Sequence, residues 1–130
     1  MANVLIVDDD ETARLLERTV LEGAGHRVFF AVDGEVALKV YKSNPIDVVL
    51  TDLKMPRLNG LRLIKEIREL DAQAVVVAIS GASADQLEMA KDLGAVSTLY
   101  KPIDAKALLA AIESAATKRK SGGDGWGARF

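Results

Sequence analysis

Five short runs of β-branched and aliphatic residues alternate with five stretches of helical periodicity, and this alternation limits the fold more than any other feature of the 130 residues. The runs are NVLIV (3–7), RVFFA (27–31), DVVLT (47–51), AVVVAIS (74–80) and VSTLY (96–100). The first, third and fourth are apolar almost throughout. Strands covered on both faces, as in a parallel sheet, read this way. Between the runs, apolar residues recur at helical spacing. Ala13, Leu16 and Val20 mark a helix over 11–23, and Ala37, Val40 and Tyr41 one over 34–43. Ile64, Ile67 and Leu70 mark a helix over 60–70 that Gly60 enters, and Leu87 and Ala90 one over 84–93 that Gly94 stops. Leu108, Leu109, Ile112, Ala115 and Ala116 mark the last, over 104–119, with Asp104 as N-cap. Met89 is expected to pack, and His26, the one histidine, to be an exposed loop residue.

Five βα units joined by right-handed crossovers predict an α/β fold. It is a doubly wound five-stranded parallel sheet of order 2-1-3-4-5, a flavodoxin-like three-layer sandwich. Residues 1–120 form one domain, and the glycine-rich SGGDGWGARF (121–130) reads as an appended end or linker, with Trp126 away from any site. There is no cysteine, which excludes disulfides, thiolate metal sites and thiol nucleophiles and suits a reducing, cytoplasmic setting. The net charge of −2 predicts no broad face for nucleic acid. Lys118, Arg119 and Lys120 sit where cations complement the end of the last helix. The N-terminus lacks a charged leader and a long apolar core, so no signal peptide is expected. No apolar run approaches the ~20 residues of a membrane span.

In such a sheet, chemistry gathers at the carboxyl ends of the strands beside the switch in strand order. The first run is followed by Asp8, Asp9, Asp10 and Glu11 and the third by Asp52; the fourth ends in Ser80, and the fifth leads to Lys101 and Pro102. Asp33 and Gly34, after the second, form an ordinary turn. Neighbouring carboxylates repel unless a cation joins them. Oxygen-only ligands favour a hard ion, Mg²⁺ above all where phosphate is handled. A lysine and a hydroxyl at the same rim supply a charge and a hydrogen bond to a phosphoryl group, and an aspartate can itself be the nucleophile. The constellation therefore predicts Mg²⁺-dependent phosphoryl transfer to or from an aspartate. Asp10 and Glu11 are better placed as residues that begin the first helix.

LIVDDDE, TDLKMPRLNG, ISG and YKP together resemble the marks of response-regulator receiver domains, the CheY-like phosphoacceptors of two-component signalling. The resemblance covers residues 3 to about 118. It implies Asp52 as phosphoacceptor, Asp9 as a direct Mg²⁺ ligand, Asp8 acting largely through water, and the Lys54 backbone carbonyl as a further ligand. Ser80 stands where a hydroxyl moves onto the phosphoryl group and Lys101 where a lysine pairs with it, with a cis bond to Pro102. Met55, Pro56 and Gly60 shape the loop beside the acceptor, and Lys54 and Ala82 flank it at positions that tune the lifetime of the phosphoryl group. The implied donor is a histidine kinase or phosphotransfer protein, and the reader a downstream protein or an effector domain; dimerisation on activation stays open. Such a domain is a switch with modest self-catalysis, not a metabolic enzyme. One departure is Thr98, where the family usually places an aromatic switch residue three before the lysine; Tyr100 lies nearby. The segment from Ser80 to Gly94 is also about one residue short.

Three rivals are distinguishable. Asp8-x-Asp10-x-Thr12 fits the first motif of haloacid-dehalogenase-like phosphatases, with Asp8 as nucleophile, but no later acidic pair follows and TDLKMPRLNG is unexplained. A flavin-binding module needs a phosphate-cradling loop where the four acids lie. A degenerate receiver used only for docking would not keep competent residues at all five chemical positions.

Overall fold

The computed structural model describes residues 1–54, 59–81 and 84–121. Its elements are β1 (Asn3–Val7), α1 (Glu11–Gly23), β2 (Arg27–Ala31), α2 (Gly34–Ser43), β3 (Val48–Asp52), α3 (Gly60–Leu70), β4 (Val76–Ser80), α4 (Ala84–Asp92), β5 (Ser97–Tyr100) and α5 (Ala105–Ser121). The strands pair in parallel in the order β2-β1-β3-β4-β5. The expected doubly wound α/β sandwich is therefore the one observed, with β1 and β3 paired at the switch in strand order. Among the described residues, no helix is long and apolar enough to cross a membrane.

Side chains alternate across the strands and divide the core in two. Leu5, Val7, Val49, Leu53, Val76 and Ala78 face α2, α3 and α4 and pack on Tyr41, Leu63, Ile64, Ile67 and Leu87. Val4, Ile6, Val48, Leu50, Val77 and Ile79 face α1 and α5 and pack on Leu21, Leu108 and Ile112. Each fully buried Leu or Ile contributes roughly 1.5–3 kcal/mol relative to exposure.

The helix starts follow local chemistry. Asp10 caps α1, its side chain accepting from the Thr12 N–H at 3.2 Å, and Asp33 caps α2 through the Val36 N–H at 2.9 Å. Asn59 accepts from the Leu61 N–H at 2.8 Å, and Asp104 from the Ala107 N–H at 3.0 Å. Gly94 stops α4 with φ of 110°, a conformation that favours glycine.

Four packing expectations fail. Leu16 is half-exposed; the buried residues of α1 are Glu17 and Leu21, and Val20 packs against the same core as expected. Leu70 and Met89 are also largely exposed; Leu63 supplies the third apolar contact of α3. His26 is buried. Its Nδ1 accepts the Ala2 N–H at 3.0 Å and its Nε2 lies 3.4 Å from Glu113, so it clasps the start of β1 to α5. The readings placed on Met55, Pro56, Ala82, Trp126 and the 122–130 tail lie outside the described residues, as do those on the Arg119 and Lys120 side chains.

Candidate functional site

Asp8 directly follows β1 and Asp52 ends β3, and the pairing of these strands brings the two carboxyls to one rim. Alternation continues the faces of Val4 and Ile6 into Asp8, and of Val48 and Leu50 into Asp52, so both carboxyls turn toward the α1/α5 layer. Lys101 reaches them from the end of β5. Its Nζ donates to Asp52 Oδ2 at 2.8 Å and lies 3.9 Å from Asp8 Oδ2. The Lys101–Pro102 bond is cis, as the resemblance implied, and the Lys101 N–H donates to the Ser80 carbonyl at 3.0 Å. Ser80 is fully buried at the end of β4.

The surrounding backbone holds the acids in place. The Lys54 N–H donates to Asp52 Oδ1 at 3.1 Å, and the Asp10 N–H to Asp8 Oδ1 at 2.9 Å. Arg14, which sequence reasoning passed over, donates from Nη1 to the Asp8 carbonyl at 2.8 Å and ties α1 to the rim. A basic residue one turn into α1 was the only available signal for it. The Gly60 N–H donates to the Leu53 carbonyl at 3.0 Å. A Cβ at Gly60 would stand 2.6 Å from Leu53 Cα and closer still to the Asp52 carbonyl oxygen, so only glycine fits against the Asp52 backbone.

Of the predicted residues, Asp8, Asp52 and Lys101 converge, with Ser80 and the Lys54 peptide beside them. Asp9 is exposed and faces solvent. Thr98 is half-buried and Tyr100 exposed, so neither is packed as a core aromatic would be. Among the described residues, no three His, Cys, Asp or Glu side chains stand together as a ready metal cage. The ammonium of Lys101 fills the space between the two acids instead.

Burial pushes the Asp8 carboxyl up; the Asp10 N–H opposes this, and the Asp52 charge adds to it. Glu17, on α1, is pushed up to about 8, first by burial and then by the charge of Asp8. Burial pulls the Lys101 ammonium down, but the hydrogen bond to Asp52 and the charges of Asp52, Asp8 and Glu17 outweigh it and leave it raised. Sequence reasoning missed Glu17, because it lies within the apolar periodicity of α1.

Acidic side chains and a lysine meet at the carboxyl edge of a doubly wound sheet, as the resemblance to receiver domains implied. The comparisons agree. The family model for the response regulator receiver domain matches residues 4–113, and the chain belongs to that family. It is 31% identical over 102 residues to sporulation initiation phosphotransferase F of Bacillus subtilis, covering 78% of this chain and 82% of that protein. It is 41% identical over 91 residues to the autoinducer 1 sensor kinase/phosphatase LuxN of Vibrio campbellii, covering 69% of this chain. It spans only 11% of that protein's length. Among solved structures, the beryllofluoride-activated NtrC4 receiver domain dimer superposes with a TM-score of 0.86 at 31% identity, covering 92% of this chain and 99% of that one.

Proposed function

We propose that Asp52 is the phosphoacceptor of a cytoplasmic two-component switch, loaded by the phosphohistidine of a histidine kinase or phosphotransfer protein in a Mg²⁺-dependent step. The observation that carries the reading is the Lys101 ammonium at 2.8 Å from Asp52, with Asp8 on its other side. A carboxylate oxygen of Asp52 attacks phosphorus; the O–P bond forms as the P–N bond breaks, and the imidazole nitrogen keeps the electron pair. Lys101 is positioned to follow the transferred phosphoryl oxygens as a point charge, and the Ser80 hydroxyl to donate to them.

The donor set suits a hard divalent ion. It is all oxygen, and Asp8 Oδ2 is buried without a hydrogen-bond partner among the described residues. Asp8, Asp9, Asp52 and the Lys54 carbonyl are the groups that would hold Mg²⁺. When bound, the ion offsets the negative charge gathered on the transferring phosphoryl group. Asp9, on the solvent side, is placed to meet an entering ion, and Asp8 lies deeper.

A phosphoryl group on Asp52 then adds charge at the rim and shifts a two-state equilibrium that a downstream protein, an effector domain or a second copy reads. The similarity to the beryllofluoride-activated NtrC4 receiver domain dimer supports the last of these. The test is incubation with acetyl phosphate and Mg²⁺ followed by peptide mapping. A phosphoryl adduct on Asp52 that is lost in Asp52→Asn supports the reading. An adduct on Asp8, or steady turnover of phosphate esters, favours the phosphatase instead.

A further inference from the structure

The transfer reaction leaves one buried acid without a role. Glu17, in the second turn of α1, is 1% exposed, and its Oε2 is buried without a hydrogen-bond partner among the described residues. A residue at such a position in a helix that packs on a sheet is ordinarily apolar, since an unpaired buried carboxyl is costly. Its surroundings explain the exception. Helix α1 begins three residues after Asp8 and packs on β1, and Arg14 ties it to the Asp8 carbonyl. The buried face of α1 covers the sheet side that carries Ile6 and Leu50, and Asp8 and Asp52 continue that side. Besides burial, the groups that act on Glu17 are Asp8, Lys101, Asp52 and Asp10, which are the charges of the rim. Asp8 Oδ2 and Glu17 Oε2 are both buried and both lack a donor. Two carboxyl oxygens buried on the same side of the sheet thus lack a donor among the described residues.

We propose that Glu17 is a further carboxylate of the divalent-cation pocket, a positioning residue that acts through Asp8 and strengthens the hold on Mg²⁺ or Mn²⁺ from beneath. The inference rests on the reading of Asp8 and Asp9 as the cation-holding pair. Glu17 has no part in the transfer itself. It adds negative charge below Asp8 and backs that side chain in the arrangement that receives the ion, as outer partners do at many metal sites.

Calorimetric titration of the 130-residue chain with MgCl₂, and separately with MnCl₂, tests this. The measurement is made at about pH 8.5, where deprotonation does not limit binding. Glu17→Gln keeps the shape and removes the charge, and it should weaken both ions on the order of tenfold. Its metal-free unfolding midpoint should rise, so the loss of affinity is not a loss of fold. Glu17→Met serves if the glutamine variant folds poorly, and should weaken binding equally. Glu113→Gln, on the exposed side of α5, controls for net charge and should bind as wild type. An affinity in Glu17→Gln within about twofold of wild type, or tighter, overturns the proposal and leaves Glu17 a purely structural acid. Asp9→Asn separates the two levels. If it abolishes binding while Glu17→Gln changes nothing, only the role of Glu17 fails. If Asp9→Asn binds both ions as wild type does, the cation-pair reading itself fails.

Discussion

Replacing Glu17 with glutamine should stabilise the metal-free chain, and more so as the pH rises. In the folded chain its carboxyl moves from 4.5 to about 8, chiefly because it is buried and then because Asp8 is charged nearby. The folded state therefore keeps a proton that the unfolded chain releases, and linkage fixes the sign. Stability is fully present below about pH 4.5 and is lost as pH rises toward about 8. At about 1.4 kcal/mol for each tenfold change in proton affinity, the loss reaches on the order of 5 kcal/mol once the group is ionised in both states. Roughly 3 kcal/mol of this falls between about pH 5.5 and 8.5, a large share of the 5–15 kcal/mol typical of a domain. Asp8, raised first by burial, contributes in the same direction. Urea denaturation followed by circular dichroism at those two pH values, with divalent ions chelated, measures the difference. Wild type should lose roughly 3 kcal/mol across the interval, and Glu17→Gln should lose much less. A wild-type curve as flat as the variant's would show that Glu17 is ionised at both pH values. A variant curve as steep as wild type would assign the titration to another group. Either result refutes the reasoning.

Two further outcomes follow from the packing. Gly60→Ala places a methyl 2.6 Å from Leu53 Cα and against the Asp52 carbonyl, where both obstacles are backbone. A loss of about 2 kcal/mol in urea melts is expected, with slower labelling of Asp52 by acetyl phosphate because the acceptor's own peptide must shift. Tyr41→Phe removes the hydroxyl that donates to Asp71 Oδ2 at 2.7 Å, at the end of α3 away from the site. It should cost about 1 kcal/mol in the same melts and leave Mg²⁺ affinity unchanged.

The sheet order was legible because five apolar runs and five amphipathic stretches leave few ways to fold; the limits of α1, α2 and α3 matched the periodic stretches, and Gly94 and Asp104 marked the end of α4 and the start of α5. The strand ends were less so. Val48–Asp52 is displaced by one residue from its apolar run, and Val76–Ser80 starts two residues into its run, because pairing sets a strand's limits and composition does not. Periodicity also could not say which neighbour in a mixed stripe turns inward. Leu15, Leu16, Val20 and Leu21 offer two apolar faces, and the one that packs includes Glu17. His26 reads as a loop residue until the fold brings Ala2 and Glu113 to either side of its ring. Of the site, the convergence of Asp8, Asp52 and Lys101 followed from their places at strand ends. The electrostatics did not, because they depend on how deeply each carboxyl is buried.

That depth decides which acid yields its charge. Lys101 is a single ammonium set between Asp8 and Asp52, with Glu17 below, so three carboxyls compete for it. The short hydrogen bond goes to Asp52 at 2.8 Å, and Asp8 is left at 3.9 Å. Both carboxyls without that bond, Asp8 and Glu17, are the ones raised, and the deeper-set Glu17 is taken to about 8. The acid expected to react is thus the one that holds the ammonium. Part of the surplus of negative charge is met by the proton retained on Glu17. Under the proposed cation reading, an ion held beside Asp8 should favour the charged form of Glu17, so binding and proton release should be linked, and the stability withheld above neutral pH should return when the ion is present.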